Sequence, residues 1–185
     1  MSVRLARSVV IIGASAVVAT GCGTSRAKLA VLRVHAQTPT ELATLLRRPV
    51  RTPKRCHLTK PVKLKRWGYT LGKGPLRAIF DSNKDNARVA LSKGVFHDGW
   101  WNVKVLWFEP SASYRGWLLV RGVGLDGSAV GFVGGSPRLQ TALELHATDP
   151  EVSWTTGTLL PGSGCYAYQV DGRSFSYSII VRAYR

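Results

Sequence analysis

The chain has 185 residues, 45% hydrophobic and 19% charged, with 26 Lys and Arg against 10 Asp and Glu and a net charge of +16. That is enough apolar material for one domain with a core, and too much for a disordered chain. Carboxylates this few and this scattered argue against hydrolysis by a paired-carboxylate site. From Cys22 to Asp85 there are 15 basic residues against three acids, whereas from Asn86 onward nine face seven. The basicity therefore belongs to an N-terminal arm, and the C-terminal body is nearly neutral.

Residues 1–21 have the layout of a secretory signal peptide. Arg4 and Arg7 come first, an apolar run follows over 9–18, and Ala19, Thr20 and Gly21 lead into Cys22. At its most generous, over 8–21, the run is shorter than the ~20 residues a bilayer crossing needs. Ala19-Thr20-Gly21-Cys22 resembles a bacterial lipobox, the signal in which the cysteine is acylated and becomes the mature N-terminus. The departure is Ala19, where that family more often has Leu. The competing cleavage site, near Ala14-Ser15-Ala16, would give a secreted protein with a free Cys22.

The cysteines are Cys22, Cys56 and Cys165. An odd number in an exported chain leaves a thiol to explain. If lipidation claims Cys22, Cys56 and Cys165 remain as one pair in an oxidising compartment, and a disulfide between them is expected.

Residues 22–66 read as a basic tether carrying one short helix over 39–48. Thr38 suits an N-cap, Pro39 the first helical position and Glu41 a capping box. Leu42, Leu45 and Leu46 line one face, and Pro49 ends the helix. Residues 47–66, bounded by Arg47 and Arg66, hold nine basic residues and no acid. Two readings stand for this run: a solvated linker, or a segment that docks on anionic lipids or cell-wall polyanions. The membrane is then the expected partner, reached through acylated Cys22. Nucleic acid is not expected, because no binding fold is legible.

Residues 67–185 show short β-prone runs separated by Gly, Pro, Asp and Asn, at 76–80, 87–92, 102–108, 116–122, 129–133, 139–146, 152–156, 165–170 and 174–183. So many short strands at such spacing predict an all-β chain, an immunoglobulin-like β-sandwich preceded by signal peptide, tether and short helix. A tyrosine corner would put Tyr two residues before the second cysteine, where this chain has Ser163. Because Cys56 precedes the first clear strand, a Cys56–Cys165 bridge would pin the arm to the sandwich rather than staple two sheets.

The last strands form the clearest hairpin. Asp171-Gly172 separates two β-prone runs, and Gly172 takes φ > 0 without steric cost. A two-residue loop there sets Tyr168 opposite Phe175 and leaves Cys165 outside. A three-residue loop from Val170 sets Ala167 opposite Phe175 and brings Cys165 to the core face. The second is favoured, since bridged cysteines are usually buried.

Several stretches together resemble an uncharacterised family of exported, lipoprotein-type bacterial proteins. They are Arg121-Gly122 with Leu125-Asp126-Gly127, and Pro161-Gly162-Ser163-Gly164-Cys165-Tyr166 followed by Asp171-Gly172 and Phe175. Residues 41–49 and Trp107 fit as well. The resemblance implies an immunoglobulin-like sandwich outside the cytoplasm and implies no activity.

No catalytic residue, metal ligand set or cofactor is read from the chain. Gly122, Gly124 and Gly127 match G-x-G-x-x-G, but a strand rather than a helix follows, so Asp126-Gly127 is read as a hairpin turn. His35, His57, His97 and His146 share no metal-ligand spacing. Candidate surface-binding residues are Trp100, Trp101 and His97, with Asp98 beside them. Neighbours on a strand face opposite ways, so one tryptophan is free to stack on a sugar ring or another apolar face. The leading expectation is a non-enzymatic binding or structural module at the envelope. The alternative is an envelope enzyme such as a glycan hydrolase, working near His97, Asp98 and Trp100. Ligand and oligomeric state are not legible.

Overall fold

The structure, a computed structural model, describes residues 39–81, 86–110, 114–134, 139–148 and 152–185. The expected signal peptide, Cys22, His35 and the Thr38 cap lie outside the described residues. In chain order the elements are α1 (Thr40–Leu46), β1 (Val62–Leu64), β2 (Gly68–Thr70), β3 (Arg77–Ile79), β4 (Arg88–Ala90), β5 (Val95–His97) and β6 (Trp100–Phe108). After these come β7 (Gly116–Gly124), β8 (Gly131–Val133), β9 (Leu143–Ala147), β10 (Ser153–Leu160), β11 (Gly164–Gly172) and β12 (Phe175–Tyr184).

The chain is an all-β sandwich. One sheet runs β3-β6-β10-β8, with β5 also paired to β6; the other runs β4-β12-β11-β7-β9. Strands β3, β6, β10 and β8 stand in the order A, B, E, D of an immunoglobulin domain, and β7, β11 and β12 in the order C, F, G. The departure is that the chain visits the first sheet as β8 before returning beside β7 as β9. Each of the nine expected strands has a counterpart, and β1, β2 and β5 are additional. The β1–β2 hairpin turns between Leu64 and Gly68, across the boundary expected after residue 66.

Alternation fills the core. Val103, Val105 and Trp107 point inward from β6 and meet Tyr166, Tyr168 and Val170 of β11. The ring of Tyr168 lies against Phe80, Trp107 and Phe132, with centroids 5.1, 6.0 and 6.3 Å away. Buried polar tips are satisfied across β10: Trp107 Nε1 donates to Thr156 Oγ1 at 3.1 Å, and the Tyr168 and Thr158 hydroxyls share a bond of 3.0 Å.

The closing hairpin differs from both expected registers. Gly172 pairs with Phe175, so the loop is Arg173-Ser174, and Asp171-Gly172 completes β11. Tyr168 lies opposite Ile179, and Cys165 opposite Arg182. Cys165, Gln169 and Asp171 therefore face away from the inter-sheet core. Strand pairing extends past Asp171 because its carboxylate has partners on that outer face. Cys165 is half-buried there by overlying chain, not by the core. The tyrosine corner is also present, but at Tyr166: near the start of β11, its hydroxyl donates to Gly162 O at 2.7 Å. The Asp126-Gly127 turn is as expected, with Gly127 at φ 87° and Gly124 N–H donating to Ser128 O at 2.8 Å.

Residues 47–59 cross the outer face of the second sheet. Arg51 N–H donates to Gln169 Oε1 (2.7 Å), Gln169 Nε2 to Pro49 O (3.1 Å), and Thr59 N–H to Ile180 O (3.0 Å). Cys56 and Cys165 are joined by a disulfide, with Cα atoms 6.0 Å apart. Helix α1 packs Leu42 and Leu45 on Leu119 of β7. Trp117 belongs to this smaller cluster and stacks on His146 at 4.6 Å. Pro39 stands at the helix N-cap without a side-chain bond, and the Thr38 half of the expected capping box lies outside the described residues. Glu41 pairs with Arg173 at 3.3 Å. Among the described residues no helix is long and apolar enough to cross a membrane.

Candidate functional site

Two outer faces of the sandwich carry candidate chemistry. The first is a trough on the first sheet. Strands β5 and β6 form a tight hairpin, His97 pairing with Trp100 around Asp98-Gly99. Both loop residues have positive φ, 49° and 81°, as a type I′ turn requires. This turn sets His97 and Trp100 side by side on the outer face. His97 Nε2 lies 3.1 Å from Asp98 Oδ2, with both side chains more than four-fifths exposed (81% and 82%).

His97, Asp98 and Trp100 border a cavity of about 350 Å³, closed opposite by Leu139 and Leu159. A second cavity, of about 360 Å³, is bordered by Lys93, Val95, Lys104, Thr155 and Gly157. Asn102 and Val133 line both, so the two are lobes of one trough. Gly157 lets the side chains of Asn102 and Val133 close over β10 between the lobes: a Cβ there would collide with Asn102 Oδ1 and Val133 Cγ2. The lobe at Trp100 is aromatic and apolar, and the lobe at Lys104 is cationic. Lys93 is held by Asp81, whose hydrogen bond pushes its ammonium pKa up.

The expected trio divides. His97 and Trp100 come together in the trough. Trp101 points the other way, lies at the edge of the core and packs on Phe96 with centroids 5.0 Å apart. Lys93, Asn102, Lys104, Leu139 and Gly157 gave no signal in the sequence, because they come from separate elements and only the sheet assembles them. Asp98-Gly99 was a usable cue for the hairpin that organises them.

The second candidate is the basic arm, whose residues 47–59 cross the outer face of the second sheet. Of the nine basic residues over 47–66, eight are exposed and Arg48 turns inward. Arg48 donates to the carbonyls of Gly172 (2.8 Å), Arg173 (2.8 Å) and Phe175 (3.0 Å). Beneath it, Asp171 is fully buried and pairs with Arg121 Nη2 at 2.6 Å. Gln169 Nε2 also donates to both Asp171 oxygens, at 3.1 and 2.9 Å. The arm's charges are thus fixed to the body by a buried carboxylate and a disulfide. His57 is exposed on this arm. Among the described residues no group of three His, Cys, Asp or Glu is placed to hold a metal ion.

No protein-family model and no curated protein matches the chain. A crystal structure of a "Putative Lipoprotein from Bacillus anthracis" is similar with a TM-score of 0.42 and 12% identity, over 80% of this chain and 98% of that one.

Proposed function

We propose that the chain is a lipid-anchored, non-enzymatic binding module of the bacterial cell envelope, held at the membrane by acylated Cys22. The observation that carries this is the Cys56–Cys165 bond. Disulfides persist in oxidising compartments, and this one leaves Cys22, at the end of a signal-type sequence, as the remaining thiol. The cationic face supports the same setting. Each basic residue close to an anionic bilayer adds roughly 1 kcal/mol of attraction, and charges fixed on a folded face lose little entropy on docking. Anionic lipids and cell-wall polyanions both suit it.

The test is intact-mass analysis of the mature protein from a bacterial host. A chain that begins at a diacylated or triacylated Cys22 is expected. A mature N-terminus at any other residue overturns the anchor. A Cys22→Ala form should then bind anionic vesicles and leave them at high salt; indifference to vesicle charge would remove the docking role.

The enzyme alternative draws on the His97–Asp98 contact. Both side chains stand in open solvent, whereas catalytic groups work in sites that exclude water. Binding is therefore the better use of this surface.

A further inference from the structure

We infer that the trough on the first sheet takes an acidic oligosaccharide, with one sugar ring lying on Trp100 and an anionic group of a neighbouring ring held by Lys104 and Lys93. This deepens the binding-module reading and does not depend on the lipid anchor. Three observations carry it.

The first is the lining. An aromatic face at Trp100, a side-chain amide at Asn102 and a hydroxyl at Thr155 share one open groove. Sugar rings offer apolar C–H faces and a rim of hydroxyls, which suits this alternation. An acyl chain would need enclosing apolar walls. A peptide strand would need a free edge within the groove, whereas the β6 and β10 backbones that form its floor are paired on both sides.

The second is span. Trp100 and Lys104 lie on the same face of β6, four residues and so about 13 Å apart by strand rise. A single ring cannot touch both ends, so the ligand is an oligomer.

The third is polarity. Lys93 and Lys104 border one lobe and Asp98 the other. Among the described residues Lys104 has no ion-pair partner, while Lys93 is partly satisfied by Asp81. An acidic group is attracted to the lysine end and repelled at the Asp98 end, which fixes the direction in which the ligand lies. The trough also faces away from residues 47–59 of the arm, which cross the outer face of the second sheet, and it stays open when they are docked.

The test is titration of the full chain in an uncharged detergent, followed by tryptophan fluorescence and calorimetry. The probes are a tetramer of galacturonic acid, its fully methyl-esterified neutral form, and a glycerol-phosphate tetramer without sugar rings. The uronic acid tetramer should bind at least about tenfold more tightly than its ester. Salt should weaken the acid and leave the ester unchanged. Trp100→Ala should abolish both, with Trp100→Phe restoring part. Lys104→Ala should bring the acid down to the level of the ester. Equal binding of acid and ester overturns the inference, as does glycerol phosphate binding as well as the uronic acid. Acid binding that survives both Trp100→Ala and Lys104→Ala places the ligand on the basic arm and also overturns it. Both positions are solvent-facing, and unchanged thermal unfolding of the variants separates lost binding from lost fold. A failed titration leaves the anchor untouched, since that is decided by the mass of the mature N-terminus.

Discussion

Arg121 and Asp171 meet on the outer face of the second sheet, Nη2 to Oδ2 at 2.6 Å, with the carboxylate fully buried beneath the basic arm. The pair occupies neighbouring strands, Arg121 lying opposite Gln169 and so two residues from Asp171 along β11. Asp171→Ala would leave Arg121, only 11% exposed, with no anionic partner. Removing one member of such a pair costs about 3–5 kcal/mol. Urea unfolding should show a loss of that size, and proteolysis should cut faster over 47–59. Arg173→Ala, at an exposed pair with Glu41, should cost well under 1 kcal/mol. If Asp171→Ala costs no more than Arg173→Ala, the buried carboxylate does not hold the arm.

The disulfide acts on the same segment from its other end. Cys56 and Cys165 are 109 residues apart in sequence, so their bond restricts most of the unfolded chain. Loop entropy puts its contribution at about 4–5 kcal/mol. The Cys56→Ser, Cys165→Ser double variant should unfold at correspondingly lower urea, and reductant should destabilise the parent but not the variant. Two free thiols in the alkylated, unreduced parent would remove the bond itself.

The sandwich was legible because its strands carry their own signals: alternation in β12, bulky residues on both sides of β6, and Gly or Asp at the turns. What escaped depends on partners far away in sequence. Asp171-Gly172 has the composition of a turn, yet it finishes a strand because Arg121 and Arg48 supply its carboxylate with cations. Asp98-Gly99 has the same composition and is a turn, since the short β5 before it pairs straight back to β6. Local sequence does not separate the two cases. Gln169 looks like a solvent-facing position until Pro49 and Arg51 cover it. At the trough, Trp100 and His97 were recognisable as aromatic and titratable neighbours. Gly157, Leu139 and Lys104 were not, because their role exists only where β6, β8 and β10 lie side by side.

Helix α1 has seven residues, too few to persist on its own in water. Its stability comes from burying Leu42 and Leu45 on Leu119. Leu45, 1% exposed, should cost about 2–3 kcal/mol on truncation to Ala. The loss should be local. Amide hydrogen exchange over 40–46 should accelerate strongly, while amides of β6, β11 and β12 keep their protection. Uniform acceleration across the sandwich would mean the helix is integral to the cooperative unit.

Alkaline pH should unfold the protein through its tyrosines. Burial is the first cause that raises the phenol pKa of Tyr114, Tyr166, Tyr168 and Tyr177, and the effect is largest at Tyr168 and Tyr177. An unfolded tyrosine loses its proton near pH 10. Above that pH the unfolded chain binds fewer protons than the folded one, so stability falls as pH rises. Stability from these groups is complete below about pH 10 and is lost progressively above it. Ionisation of Tyr168 and Tyr177 and the loss of tertiary signal should therefore coincide, in one transition. Tyr168→Phe removes the most deeply buried of these phenols, and with it part of the pH slope; it also leaves Thr158 without its hydroxyl partner, lowering stability at neutral pH by about 1 kcal/mol. An unfolding free energy that stays flat through this range, or ionisation of Tyr168 and Tyr177 before the fold is lost, would contradict their buried placement.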